Sequence, residues 1–405
     1  MSSSEPAALG GGRERDGRSA AGAAETWPAA DHTAARAAEA ERTRSKVLVV
    51  DDSELMRAIL TDIINSTGDH RVIGESGTGY GAIRLVHELD PDVVTLDLDM
   101  PDLGGADALA YIMHESPRPV IMVSSHSAAL ADPMLRAVDA GALEFVAKPY
   151  GDEPRGIEVL RRRLVSALGA ASDATISNLR LGRARRAQAR AKRAAARLAR
   201  LAGAPSAVPA RQAVVIAAST GGPRALVELI PTLPADLCAA VLVVQHMPST
   251  FTSLLAKRLN ELSALPVREA AEGEVLEAGG VYLAPGGYHM GLRRHGEGYA
   301  VTLEAGDPVW GVRPAADLLF GAVARHFGPR SVGIVLTGMG RDGAAGLRAI
   351  RQVGGWTAIQ QIDTAVMPSM PRAAAPYATA ELPIEALADA LAERLTAASR
   401  QAEFG

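Results

Sequence analysis

Short, uninterrupted apolar runs recur along the chain, and each stops at polar residues. In the first half they read K-V-L-V-V-D-D from Lys46, then R-V-I-G-E, V-V-T-L-D, P-V-I-M-V-S-S and E-F-V-A-K-P. Between them the spacing becomes helical, with Leu55, Met56, Ile59, Leu60 and Ile63 on one face and a further helix over residues 80–89. Apolar runs without alternation predict strands buried on both faces of a parallel sheet, and their exchange with helices predicts a doubly wound α/β domain. A second set follows: the run over residues 214–218, then A-A-V-L-V-V-Q-H-M-P, then V-G-I-V-L-T-G-M-G-R-D-G leading into a helix-like A-G-L-R-A-I. This set predicts a second α/β domain with its own parallel sheet. In such sheets, ligands gather outside the carboxyl ends of the strands.

The length of 405 residues accommodates two domains with connecting segments. The expected boundaries are a disordered extension over residues 1–44, a first domain over 45–165, a basic flexible linker over 166–210 and a second domain over 211–397. The extension is rich in Ala, Gly, Ser, Glu and Arg, lacks the apolar core of a signal peptide, and has too little apolar surface to fold alone. In the linker region no acidic residue falls between Asp173 and Glu228, while arginines accumulate from Arg180 to Arg200. No aromatic residues interleave with those charges to stack bases, so a solvated spacer is expected rather than a nucleic-acid surface.

With 42 basic and 46 acidic residues the net charge is -4, which gives the whole chain no drive toward nucleic acid or an anionic membrane. No apolar run approaches the roughly 20 residues that span a bilayer. The lone Cys238 excludes an intramolecular disulfide and a cysteine-based zinc cluster, which fits a reducing cytoplasm; flanked by Leu237, Ala239 and Val241, it is expected to be buried filler.

The strand ends of the first domain carry chemistry. Asp51, Asp52 and Asp97 would meet at one edge, where three crowded carboxylates call for a hard divalent cation, magnesium being the natural choice. A carboxylate there could attack a phosphoryl group whose oxygens are met by the Ser124 hydroxyl and the Lys148 ammonium. On these residues, positions 47–150 resemble the flavodoxin-like receiver domain of two-component response regulators. That resemblance implies Asp97 as phosphoacceptor, Asp52 and Asp97 as magnesium carboxylates with Asp51 as the other acid of the pair, and Asp99 as donor of a backbone carbonyl. It further implies Ser124 and Lys148 as the conformational hydroxyl and lysine, Phe145 as the aromatic switch, and a histidine kinase as phosphodonor.

In the second domain Ser219 falls where the first strand stops, followed by Thr220, Gly221 and Gly222 for a tight turn and Pro223 for the first helical turn. There its hydroxyl either caps the helix or serves as a nucleophile beside unpaired helix amides. His246 and Asp342 each follow another buried run. If the strands are parallel, the three side chains converge as nucleophile, base and orienting carboxylate. The order Ser, His, Asp and the lack of G-x-S-x-G disfavour an α/β-hydrolase.

The strings A-S-T-G-G-P, Q-H-M-P and L-T-G-M-G-R-D-G-A-A-G, behind a receiver-like segment, resemble the catalytic domain of chemotaxis protein-glutamate methylesterases. The resemblance implies Ser219, His246 and Asp342 as the triad, Met339 as an oxyanion amide with Thr220 beside the nucleophile, and no cofactor in this domain. It also implies demethylation of glutamate methyl esters and deamidation of glutamines on chemoreceptors. Ala217, Arg341 and Ser369 depart from that family's pattern without removing a reacting group, and Arg313 and Pro314 fall where it carries a substrate-facing loop. The rival expectation is a receiver joined to a non-catalytic binding module, which would have no need of Ser, His and Asp at three strand ends.

Overall fold

The computed structural model describes residues 44–125, 130–149, 156–175, 178 and 208–403. Apart from Arg44, the expected extension lies outside the described residues, as do Tyr150 and the arginine-rich run of the linker. From Arg44 onward the chain forms one compact unit built on two parallel sheets.

The first sheet comprises β1 (Ser45–Val50), β2 (His70–Ser76), β3 (Val93–Leu96), β4 (Val120–Ser124) and β5 (Glu144–Ala147), in the order β2-β1-β3-β4-β5 with every pairing parallel. Helices α1 (Glu54–Asn65), α2 (Gly79–Leu89), α3 (Gly105–Glu115), α4 (Ala131–Ala140) and α5 (Gly156–Ser172) alternate with these strands. Buried residues of β1, β3 and β4 fall into two apolar clusters, as strands with two covered faces require. Helix starts follow local chemistry: Ser53 Oγ accepts from the Met56 amide, and Thr78 Oγ1 from that of Gly81.

The expected domain boundary at residue 165 falls inside α5. Leu160, Leu164, Ala167, Leu168 and Ala171 keep a spacing of three and four and bury against the first sheet, so the helix continues to Ser172. Beyond it, the Thr175 amide donates to the Val366 carbonyl and the Asn178 side-chain amide to the carbonyls of Asp363 and Ala365. The chain is therefore anchored to the second domain well inside the segment expected to be a linker.

The second sheet has seven strands, β6 (Ala213–Ala218), β7 (Ala240–Gln245), β8 (Val267–Glu269), β9 (Val281–Leu283), β12 (Ser331–Val335), β13 (Trp356–Gln360) and β14 (Ala380–Leu382), in the order β14-β13-β12-β6-β7-β9-β8 and all parallel. A separate antiparallel hairpin, β10 (His289–His295) and β11 (Gly298–Glu304), had no counterpart in the sequence pattern. Helices α6 (Gly222–Leu229), α7 (Ser249–Leu262), α8 (Ala316–Phe327), α9 (Ala344–Gln352), α10 (Ser369–Ala374) and α11 (Ile384–Glu403) complete the domain. Strands β6, β7 and β12 are buried at every residue and occupy the sheet centre, which fixes the level of their carboxyl ends. Cys238 is exposed, contrary to expectation: it precedes β7 on a loop where Leu237 and Ala239 take the inward positions.

Candidate active site

Adjacent strands β12, β6 and β7 pair in register, Val335 beside Ala217 and Ala218 beside Gln245. Ser219 and His246 therefore emerge side by side, one residue past the ends of β6 and β7. Asp342 lies on the turn between β12 and α9. Ser219, at the tight turn after β6, is only 8% exposed, with His246 at 7% and Asp342 at 2%. Receiver residues Glu144 and Arg163 line the cavity beside Ser219 and His246, while the Asp342 carboxylate is enclosed by its own domain.

His246 Nε2 lies 2.8 Å from Asp342 Oδ2. The same carboxylate accepts the amides of Ala316 at 2.6 Å and Asp317 at 2.9 Å, the first residues of α8. Burial acts against ionisation of Asp342, but the His246 contact and the two amides outweigh it and hold its pKa below the usual carboxylate value. An ionised carboxylate can only accept, so Nε2 carries the proton and a neutral imidazole keeps Nδ1 as its basic nitrogen. Among the described residues no hydrogen bond joins Ser219 Oγ to His246, although both side chains line one cavity of about 250 Å³.

The backbone around the serine is braced. Gln245 Nε2 donates to the carbonyls of Ser219 at 2.9 Å and His246 at 3.2 Å, and the Ser219 amide donates to the Thr337 carbonyl at 3.1 Å. Thr337 Oγ1 in turn donates to the Thr220 carbonyl at 3.0 Å. The turn needs its glycines: Gly221 sits at φ +75°, and a Cβ on Gly222 would come within 2.0 Å of Gln245 Oε1. With the Ser219 amide engaged, the backbone N–H groups of Thr220 and Met339 are left without partners among the described residues, and both residues line the cavity with Ser219 and His246. Two such donors beside a serine suit a developing oxyanion.

The receiver closes the cavity from above. The Gly221 amide donates to the Leu143 carbonyl at 3.0 Å, and Thr220 Oγ1 donates to Glu144 Oε2 at 2.9 Å. Phe145, buried on β5, packs on Phe251 of α7 with ring centroids 5.7 Å apart, and Arg258 of α7 pairs with Asp139 of α4. Burial raises the pKa of Glu144, against the opposing pull of Thr220, the Phe145 amide, Arg163 and His246. Neither Glu144 nor Gln245 carries a sequence signal for these contacts, since each joins elements far apart in the chain.

In the receiver, Lys148 Nζ lies 2.6 Å from Asp97 Oδ2 and 2.7 Å from Asp51 Oδ2. Burial raises the pKa of Asp97 to about 6 despite Lys148. Oxygens of Asp51, Asp52 and Asp97 lie within 4.8 Å of one another, while the Asp99 carboxylate is exposed and outside that group. Among the described residues, the buried Asp97 Oδ1 and Ser124 Oγ have no hydrogen-bond partner. A hard oxygen set with spare acceptor capacity fits magnesium.

A family model for the CheB methylesterase matches residues 214–391, and one for the response regulator receiver domain matches residues 47–160. The protein-glutamate methylesterase/protein-glutamine glutaminase of Symbiobacterium thermophilum is 45% identical over 351 residues, which cover 85% of this chain and 96% of that protein. The protein of the same name from Pyrococcus horikoshii is 44% identical over 329 residues, covering 81% of this chain and 87% of its own. Among solved structures, the Thermotoga maritima CheB methylesterase catalytic domain is 38% identical and covers 45% of this chain and 97% of its own, with a TM-score of 0.44.

Proposed function

The chain belongs to the protein-glutamate methylesterase/protein-glutamine glutaminase family, and on that premise we propose that Ser219, His246 and Asp342 perform its two hydrolytic reactions under control of the receiver. His246 Nδ1 takes the Ser219 proton as Oγ adds to the γ-carbonyl carbon of a glutamate methyl ester. The resulting oxyanion is met by the Thr220 and Met339 amides. Collapse breaks the ester C–O bond, methanol leaves with the proton from His246, and a γ-glutamyl ester remains on Ser219. Water, deprotonated by His246, then adds to this ester, and Ser219 departs to give a free glutamate carboxylate. With a glutamine substrate the leaving group is ammonia and the remaining steps are the same.

The observation that carries this reading is the His246–Asp342 pair, whose proton on Nε2 leaves Nδ1 basic beside a serine at the neighbouring strand end. Methanol release from a glutamate methyl ester tests it. Ser219→Ala should abolish release, and retention of most activity would rule out the serine as nucleophile.

For the receiver, the reading is transfer of a phosphoryl group to Asp97 Oδ1, the carboxylate oxygen that Lys148 leaves free. Asp51, Asp52 and Asp97, with the Asp99 carbonyl, would hold magnesium, which offsets carboxylate and phosphoryl charge. Lys148 and the unpartnered Ser124 hydroxyl then meet the phosphoryl oxygens, and Phe145 follows Ser124. Chemoreceptors are the proposed substrates and a histidine kinase the proposed phosphodonor, in the cytoplasm. Among the described residues no helix is long and apolar enough to cross a membrane.

A further inference from the structure

Beside the Ser219 cavity lies a second one of about 490 Å³, lined by Trp310, Asp317, Arg341, Arg348 and Tyr377 together with alanines of α9 and α10. Trp310 and Arg341 line both cavities, so the two are neighbours across a shared wall. The shared wall is held firmly. Trp310 is 55% exposed and sits at φ +55°, a costly conformation for a bulky residue that surrounding contacts must maintain. Its indole N–H donates to Asp317 Oδ2 at 2.9 Å, and the Arg341 guanidinium lies 4.9 Å from its ring centroid.

Charge in this cavity is net positive, two arginines against one acid. Arg341 and Arg348 are exposed, and neither has a carboxylate partner among the described residues. The only acid of the lining is Asp317, whose Oδ1 accepts the amides of Gly343 and Gly346 while Oδ2 accepts Trp310, so its oxygens are occupied. Every lining residue belongs to the catalytic domain, in contrast to the Ser219 cavity, which Glu144 and Arg163 of the receiver help to close.

We propose that this cavity is a docking subsite for an acidic stretch of the protein substrate next to the glutamate that enters the Ser219 site. Arg348 and Arg341 receive carboxylates, and Trp310 and Tyr377 receive the neighbouring aliphatic chain. Since the receiver does not line it, the substrate segment docks in the resting state as well as after phosphorylation. The subsite rests on the esterase reading of Ser219 for its choice of partner.

The test uses the full chain without phosphodonor and a pair of dye-labelled peptides around one central glutamate γ-methyl ester, flanked on both sides by glutamates or by serines. Fluorescence anisotropy should show tighter binding of the acidic peptide, with the preference weakening as salt is raised. Arg348→Glu should weaken acidic-peptide binding about tenfold and Arg348→Ala about threefold, the scale of a few partly screened ion pairs. Hydrolysis of N-acetylglutamate γ-methyl ester, too small to reach the subsite, should be unchanged in both variants. Equal binding of the two peptides, or binding indifferent to Arg348→Glu, would overturn the subsite. Failure of the native chain to hydrolyse the small ester under phosphorylating conditions would instead count against the esterase reading, leaving the binding result to judge the subsite alone.

Discussion

Thr220 Oγ1 donates a 2.9 Å hydrogen bond to Glu144 Oε2, so the residue next to the proposed nucleophile is held by a carboxylate of the receiver sheet. One residue on each side reinforces the contact: the Gly221 amide donates to the Leu143 carbonyl, and Phe145 packs on Phe251. The strand that carries Phe145, the proposed switch aromatic, is thus the strand that lies over the proposed esterase cavity. A change at Asp97 that moves Ser124 and Phe145 has a direct path to Ser219.

The Glu144 contact has a pH signature. Its pKa is raised by burial in the covered state, so that state binds the proton more tightly than the uncovered one. Coverage is strengthened as pH falls through the interval above the ordinary glutamate value, and weakened as pH rises through it. Arg163 and His246 face the same carboxylate and pull the other way, which narrows the interval. Glu144→Gln keeps an acceptor for Thr220 without a charge to bury, so unphosphorylated activity should fall. The ratio of native to variant activity should rise with pH across that interval. A flat ratio would show that Glu144 stays ionised in both states.

Asp342→Asn should lower turnover by roughly three to four orders of magnitude, since an amide no longer enforces the proton on His246 Nε2. A loss under about tenfold would reduce Asp342 to an anchor for the start of α8.

Gln245→Leu removes the donor that ties the Ser219 and His246 carbonyls together while roughly keeping the side chain's volume. Turnover should fall about 10- to 100-fold through misplacement of both groups, with little change in KM. A rise in KM at constant turnover would assign Gln245 to substrate binding.

The ion pair between Arg258 and Asp139 bridges the domains while partly exposed. Such pairs contribute about 0.2 to 1 kcal/mol. Arg258→Ala and Asp139→Ala should each raise unphosphorylated methanol release about twofold to fivefold, and the double variant no further. Additive increases would mean that the two side chains act independently.

Much of this architecture was legible because the central strands are covered on both faces. Their apolar runs stop at Asp51, Asp97, Ser124, Ser219 and His246, so one pattern predicts both the sheet and the residues at its functional edge. Three-residue strands such as β8, β9 and β14 are too short for any periodicity, and the β10–β11 hairpin gave no clear signal. The burial of Ser219 could not be read from its own turn, because the residues around it come from distant parts of the chain, some of them in the receiver. Glu144 read simply as a strand residue, and Gln245 as the last residue before the histidine; both owe their roles to tertiary contacts.

The central claim is that a phosphoryl group on Asp97 uncovers an esterase at Ser219. The direct measurement is methanol release by the full chain from a methylated receptor, before and after addition of a small phosphodonor with magnesium, with Asp97→Asn alongside. A covering equilibrium of ordinary strength predicts a rise of roughly 5- to 150-fold in the native chain. Asp97→Asn should keep the basal rate without the rise. No stimulation of the native chain, or equal stimulation of Asp97→Asn, would contradict the account.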